Sequence, residues 1–303
     1  MVNSRNRMMV LMAFLIAHFS FLTTFAQDTK SQFNPVEHAV ISQTIAPDAR
    51  AAGMGDVGVA TDPDVNSQYW NPAKYPFCIS RAGVALNYTP WLRQLVNDID
   101  LAYVAGYYRI GDYAAVSGSL RYFSLGEVMT SMDENAMTVK PYEMSVDVGA
   151  SLMVPVDEYN RFTIAADANK LLVPTVPKQR DDEAAEDYEA RVLSEYNDLS
   201  SISAIFKSFG DAPGGFKEEL QEIQWSIGAE YVYHDQFSLR AGYHHESENK
   251  GNRKYFTVGG GFRMNVFSLD VGYVISTAKS NPLDQTLRFS LAFDMDGIKD
   301  LFK

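Results

Sequence analysis

The sequence predicts an all-β protein: a transmembrane antiparallel β-barrel whose N-terminal segment folds as a hatch, or plug, inside the lumen. Three observations predict it. From Phe77 onward the chain breaks into segments of about 8 to 13 residues with period-two alternation, separated by turn residues. Aromatic residues gather near the ends of those segments, as interfacial girdles do. The stretch from Ala46 to Phe77 is neither leader, strand pattern nor charged loop; it is dense in Gly and Ala, then rich in turn residues.

Residues 1–26 read as a cleaved signal peptide. Arg5 and Arg7 give a positive start, Met8 to Ala17 is an unbroken apolar run, and Thr24-Phe25-Ala26 offers small residues before Gln27. A membrane anchor needs about 20 clean apolar residues, and this run is shorter. Export to the outer membrane follows. Removing the leader takes only Arg5 and Arg7 from the 26 basic residues and leaves 38 acidic ones, a balance that argues against nucleic acid as a partner. Cys78 is the only cysteine, which excludes an intrachain disulfide and a thiolate metal cluster.

Residues 27–77 form the N-terminal segment and hatch. Within it Gly53-Met54-Gly55-Asp56-Val57-Gly58 is a literal G-x-G-x-x-G. A dinucleotide site needs a strand before that motif and a helix after it, whereas Asp62-Pro63 stops any long helix here. Packing of backbone against backbone is the better reading, with Arg50, Gly53, Gly55, Trp70, Asn71, Pro72 and Ala73 as the structural residues. Asp62-x-Asp64-x-Asn66 opens like a calcium loop, but Ser67 stands where the loop needs glycine and Ala73 where it needs a bidentate Glu.

Residues 78–303 form the barrel. Its strands are expected at Arg81 to Tyr88, Asp98 to Ile110, Tyr113 to Phe123, Glu143 to Val154, Arg161 to Leu172, Ile223 to Tyr233, Phe237 to His245, Lys254 to Arg263, Val266 to Ser276 and Thr286 to Phe293. Gly111-Asp112 is a two-residue hairpin signal. Backbone in hydrocarbon must be fully paired, so an exported β-chain entering a membrane must close on itself. A soluble β-sandwich also alternates, but the tight connectors on one side, the aromatic spacing and the absence of a cysteine pair favour the barrel.

Residues 174–222 interrupt the strands with a long loop holding 12 acidic and 5 basic residues and two helical patterns. It is either a solvated face or a protein-binding loop that docks through Leu193, Tyr196, Ile202, Ile205 and Phe206. His244 and His245 are adjacent in a strand and point to opposite faces, so they do not share one metal. No H-E-x-x-H, G-x-S-x-G or paired-Cys spacing occurs. The reading is of a protein that is not an enzyme, with no catalytic residues, metal or cofactor.

Ala46 to Thr61, followed by Asn66-Ser67-Gln68-Tyr69-Trp70-Asn71-Pro72-Ala73-Lys74, resembles the PorV (LptO) and PorQ-like family of outer-membrane components of the type IX secretion system. Tyr88 to Tyr103 and the ending Leu287 to Gly297 look like the same family. The family is itself similar to the FadL-type channels, whose hatch carries the Asn-Pro-Ala that Asn71-Pro72-Ala73 matches. The resemblance implies about 14 strands, a setting in outer-membrane lipid, and three partners. These are the SprA (Sov) translocon barrel, the C-terminal signal domains of secreted cargo, and a PorU-type attachment complex. The alternative it leaves is a channel for hydrophobic small molecules. The tail from Asp294 to Lys303 has no assigned use.

Overall fold

The structure is a computed structural model. It describes residues 45–90, 99–111, 113–124, 147–170, 215–277 and 283–297, with shorter stretches between 180 and 208. The leader, residues 27–44 of the hatch, residues 298–303 of the tail and most of the 174–222 loop lie outside the described residues.

Ten strands form one antiparallel sheet. They are β1 (Ala82–Pro90), β2 (Asp100–Ile110), β3 (Ala114–Ser124), β4 (Val148–Pro155), β5 (Asn160–Asn169), β6 (Gln224–Tyr233), β7 (Phe237–His245), β8 (Lys254–Arg263), β9 (Phe267–Ser276) and β10 (Leu287–Asp294). All ten expected strands are present, within a few residues of their expected ends. The order is β3-β2-β1-β10-β9-β8-β7-β6-β5-β4, so the first strand pairs with the last, and β3 and β4 are the two ends of the sheet among the described residues. The described residues hold ten strands against about 14 expected; residues 125–146, between β3 and β4, are not described.

Every short connection lies at one end of the sheet: Gly111 to Tyr113, Val156 to Tyr159, His234 to Gln236 and Met264 to Val266. His234 and Asp235 both hold positive φ (53 and 54°), the backbone of a twisted two-residue hairpin turn. The connections at the other end are longer. That asymmetry is the one outer-membrane barrels show, with short turns facing the periplasm.

The two faces of the sheet are inverted relative to a soluble protein. On alternate positions Val84, Leu86, Tyr88, Val104, Tyr108, Leu120, Tyr122, Leu152, Tyr231, Leu239, Phe256, Val258, Leu269, Phe289 and others are exposed. Their neighbours in sequence point the other way and are buried, and many are polar: Asn87, Thr89, Thr163, Asp167, Ser226, Glu230, Arg240, His244, Thr257, Arg288 and Ser290. Register places the outward aliphatics side by side, with Leu86 opposite Val104 on one flank and Leu291 on the other. A soluble monomer does not expose so continuous an apolar surface; lipid covers it. Among the described residues no helix is long and apolar enough to cross a membrane. Tyr107, although near a strand end, faces inward and stacks on Tyr75 with ring centroids 4.8 Å apart.

Candidate functional site: the hatch and its seat

Residues 45–78 lie against the inward face. The segment contains helix α1 (Ala49–Gly53), helix α2 (Ser67–Trp70) and a 3-10 turn over Pro72–Phe77. Asp48 caps α1 by accepting from Ala51 N at 2.8 Å, the service an N-cap aspartate gives to amides the helix cannot pair. Trp70 is then fixed to the same residue, its Nε1 donating to Asp48 Oδ1 at 2.8 Å. Asn71 accepts from Ala73 N and leaves Pro72 at the first position of the 3-10 turn, where its missing N–H costs nothing.

This one short segment touches every strand. Asn66 accepts from Asn87 of β1, and Tyr75 stacks on Tyr107 of β2. Arg121 of β3 lies over the Tyr69 ring, and Ser151 of β4 donates to Ala60 O. Asp167 of β5 accepts from the amides of Gly58 (2.7 Å) and Val59 (2.8 Å). Thr257 of β8 accepts from Gly55 N at 2.7 Å, and Ser290 of β10 from Ala49 N at 2.7 Å. A sheet whose ten strands all reach one segment of about 30 residues has to curl around it.

Close approach is made possible by glycines on the inward positions of β6 to β9. A Cβ on Gly242 would lie 2.1 Å from Met54 C, one on Gly228 2.4 Å from Met54 O, and one on Gly272 2.7 Å from Ala49 O. Gly228 and Gly242 are register partners, as are Gly259 and Gly272, so the four make a flat floor under α1. From the hatch side, Gly53 meets Gly259 Cα, Gly58 leaves room for the Trp70 ring, and Gly55 holds φ +75° with Tyr243 backbone 2.6 Å from where its Cβ would be. All three glycines of the G-x-G-x-x-G stand at close approaches.

Two buried ionic clusters lock the hatch to the floor. In the first, Arg50 donates through Nε and Nη2 to Glu230 (3.2 and 3.1 Å) and through Nη1 to Asp64 and Asp62 O (both 3.0 Å). Glu230 also accepts from Arg240 at 2.8 Å, and Arg240 continues to Asp270 at 2.6 Å. Burial alone would push the Arg50 guanidinium down; the Glu230 and Asp64 charges outweigh it and hold its pKa well above the usual value. In the second, Arg288 and Tyr255 both donate to Asp56, at 2.5 Å each. Burial opposes ionisation of Asp56, yet Arg288 and the Tyr255 hydroxyl hold its carboxyl below the usual range. Asp48 is the contrast: burial, then the charge of Asp64, raise it to about 6. Of the apparent calcium ligands, the Asp64 carboxylate is committed to Arg50 and to the Asn66 amide and the Asn66 side chain to Asn87, while the Asp62 carboxylate lies 3.7 Å from Arg161.

Of the hatch residues expected from sequence, Arg50, Gly53, Gly55, Trp70 and Asn71 meet in this seat, whereas Pro72 and Ala73 lie on an exposed turn. Their strand partners escaped sequence reasoning. A signal was available: Arg161, Asp167, Glu230, Arg240, Asp270 and Arg288 are charges on the inward parity of strands, where a membrane barrel tolerates them only if they are paired or wet. In the candidate docking loop, Leu193, Tyr196, Ile202 and Ile205 lie outside the described residues; Phe206 is described and 71% exposed. Nearby, helix α3 (Ala185–Val192) and helix α4 (Phe216–Glu222) are formed. Lys250 ties α4 to the β7–β8 connection through Glu218 (2.9 Å) and Glu222 (2.7 Å), leaving Phe216 and Leu220 exposed. His244 and His245 do face apart: His244 is buried against Ser226 and Tyr255, while His245 stacks on Trp225.

Residues 27–155 match the family model described as "Type IX secretion system protein PorV". The similarity covers this region and not the rest of the chain. It takes in the whole described hatch and β1 to β4, ending on the last residue of β4. That family is one of type IX secretion, and the outward apolar face of the sheet fits an outer-membrane setting. The ending Leu287 to Gly297, which also looked PorV-like, falls beyond the match. No curated protein matches the chain significantly. Among solved structures, the outer membrane protein Omp33 of Acinetobacter baumannii is similar with a TM-score of 0.29 at 9% identity, over 71% of this chain and 96% of that one.

Proposed function

We propose that the protein is a binding component of the type IX machinery, which receives the C-terminal signal domain of cargo at the translocon barrel and passes it to the attachment complex. The observation that supports a binding role is the occupied lumen. Its inward face is polar and charged, and a hatch held by buried ion pairs fills it, whereas a channel for hydrophobic molecules needs an apolar path. Exposed apolar side chains instead stand at the long-loop end, where Phe206, Phe216 and Leu220 are 71, 76 and 53% exposed. Such residues suit capture of another protein.

Affinity purification in mild detergent, with every co-purifying chain identified, tests this. Recovery of a translocon barrel and a cargo signal domain is expected, and deletion of residues 174–222 is expected to weaken cargo capture while the barrel stays heat-modifiable on a gel. Capture unchanged by the deletion would remove the loop from the mechanism. Co-purification of lipid alone would favour the hydrophobic-molecule channel.

A further inference from the structure

A cavity of about 260 Å³ opens at the short-turn end, between the hatch and the inward faces of β4 to β9. Four arginines line it, and they are not equivalent. Arg50 and Arg240 are engaged by Glu230, Asp64 and Asp270 at hydrogen-bonding distance. Arg161 is not. Its nearest carboxylates, on Asp235 and Asp62, are 3.6 and 3.7 Å away, and its Nε is buried with no hydrogen-bond partner. Arg263, at the end of β8, is exposed and has no ion pair among the described residues.

We propose that this cavity is a binding site for an oxyanion, a carboxylate or phosphate, carried on an apolar group and arriving from the short-turn side. The guanidinium fork suits both oxyanions, and a buried N–H without an acceptor is a donor waiting for one. Asp235 is the present neighbour of Arg161, but its side chain is 81% exposed on a hairpin turn, and such an exposed pair is weakly held. An incoming oxyanion displaces it into water. The apolar half of the ligand is specified by Phe77, Met153 and Val232, which share the lining, and by Ile79 at the mouth, which is 97% exposed.

Ligand-observed NMR on the purified full-length protein in detergent tests the site with benzoate, phenyl phosphate and uncharged benzamide. At least one of the two anions is expected to bind ten-fold or more tighter than benzamide, and the better anion identifies the source chemistry. The double variant Arg161→Gln/Arg263→Gln should lose at least ten-fold, while Arg81→Gln, outside the cavity, should match wild type. Anions that bind no better than benzamide, or a folded double variant that binds as wild type, would overturn the proposal. If the double variant does not fold, Asp235→Asn decides. Asparagine tolerates the positive φ of that turn and removes the competing carboxylate, so benzoate should bind several-fold tighter. Unchanged or weaker binding would be a refutation.

Discussion

Replacing Arg50 by methionine tests whether ion pairing holds the hatch in place. The substitution keeps most of the side-chain volume and removes four hydrogen bonds, two of them to Glu230, whose side chain is only 3% exposed. Glu230 keeps its bond from Arg240, so it is left half-satisfied rather than orphaned. Breaking a buried pair by removing one partner costs about 3 to 5 kcal/mol, and the surviving Arg240 contact argues for the lower end. At 1.4 kcal/mol per decade, about 3 kcal/mol is roughly a hundred-fold larger population of undocked hatch. The amides of Gly55 and Gly58 report it directly, because their acceptors, Thr257 and Asp167, are on the barrel and are lost only on undocking. Hydrogen exchange by mass spectrometry should therefore show peptides from 49–60 exchanging roughly a hundred-fold faster, with strand peptides unchanged. Exchange at the wild-type rate would refute the idea that Arg50 clamps the hatch. Global loss of the heat-modifiable barrel would show instead that hatch and barrel form one cooperative unit.

Three more outcomes are expected. Gly55→Ala places a Cβ 2.6 Å from Tyr243 backbone at φ +75°, so it should loosen the same amides by about 2 kcal/mol or more, while Gly118→Ala, with nothing within 4 Å, should be neutral. Leu86→Arg, mid-strand on the outward face, should cut the folded fraction recovered in lipid by about 2 to 4 kcal/mol, whereas an exposed leucine in a water-soluble protein would tolerate arginine within about 0.5 kcal/mol. Hatch docking should weaken as pH rises from 5 to 8. Asp48 titrates at about 6 in the folded protein against 3.8 unfolded, so its contribution is complete below the unfolded value and is lost as pH passes through about 6. Asp56, shifted the other way, stays ionised across that window and adds no slope. Exchange at Ala51 that slows as pH rises, after correction for intrinsic rates, would contradict the assignment.

The strands were legible because a membrane barrel writes both faces of each strand into the sequence. Thr286 to Phe293 alternates Leu287, Phe289 and Leu291 outward with Arg288, Ser290 and Ala292, and the pairing with β1 and β9 obeys that parity. The hatch was legible through Gly53, Gly55 and Trp70, because small residues beside a large ring imply backbone packing whatever they pack on. The partners were not. Arg50 is 180 residues from Glu230, and Asp56 is 232 from Arg288. Nothing local to either residue encodes such a meeting; only the curl of the sheet brings them together. The exposure of Pro72 and Ala73 was likewise hidden, since Asn-Pro specifies a turn but not which way the turn faces. The family resemblance implies about 14 strands, of which the described residues hold ten.

The glycine floor bears on whether the lumen can conduct. A small barrel normally fills its interior with its own side chains. Here the inward positions at Gly228, Gly242, Gly259 and Gly272 are vacated, and Met54 and the α1 backbone occupy the space. The hatch is thus part of the interior packing, and removing it exposes a polar-lined hole rather than a collapsed core. Water entering that hole would solvate Glu230, Arg240 and Arg288, so the ring should survive the loss of residues 45–77. In planar bilayers the wild-type protein is expected to be silent and the hatch-deleted protein to pass ions in steps. Steady current through the wild type would mean that the glycine floor and its buried charges do not hold the plug. A silent deletion variant that is demonstrably folded would mean that side chains, not the hatch, seal the lumen.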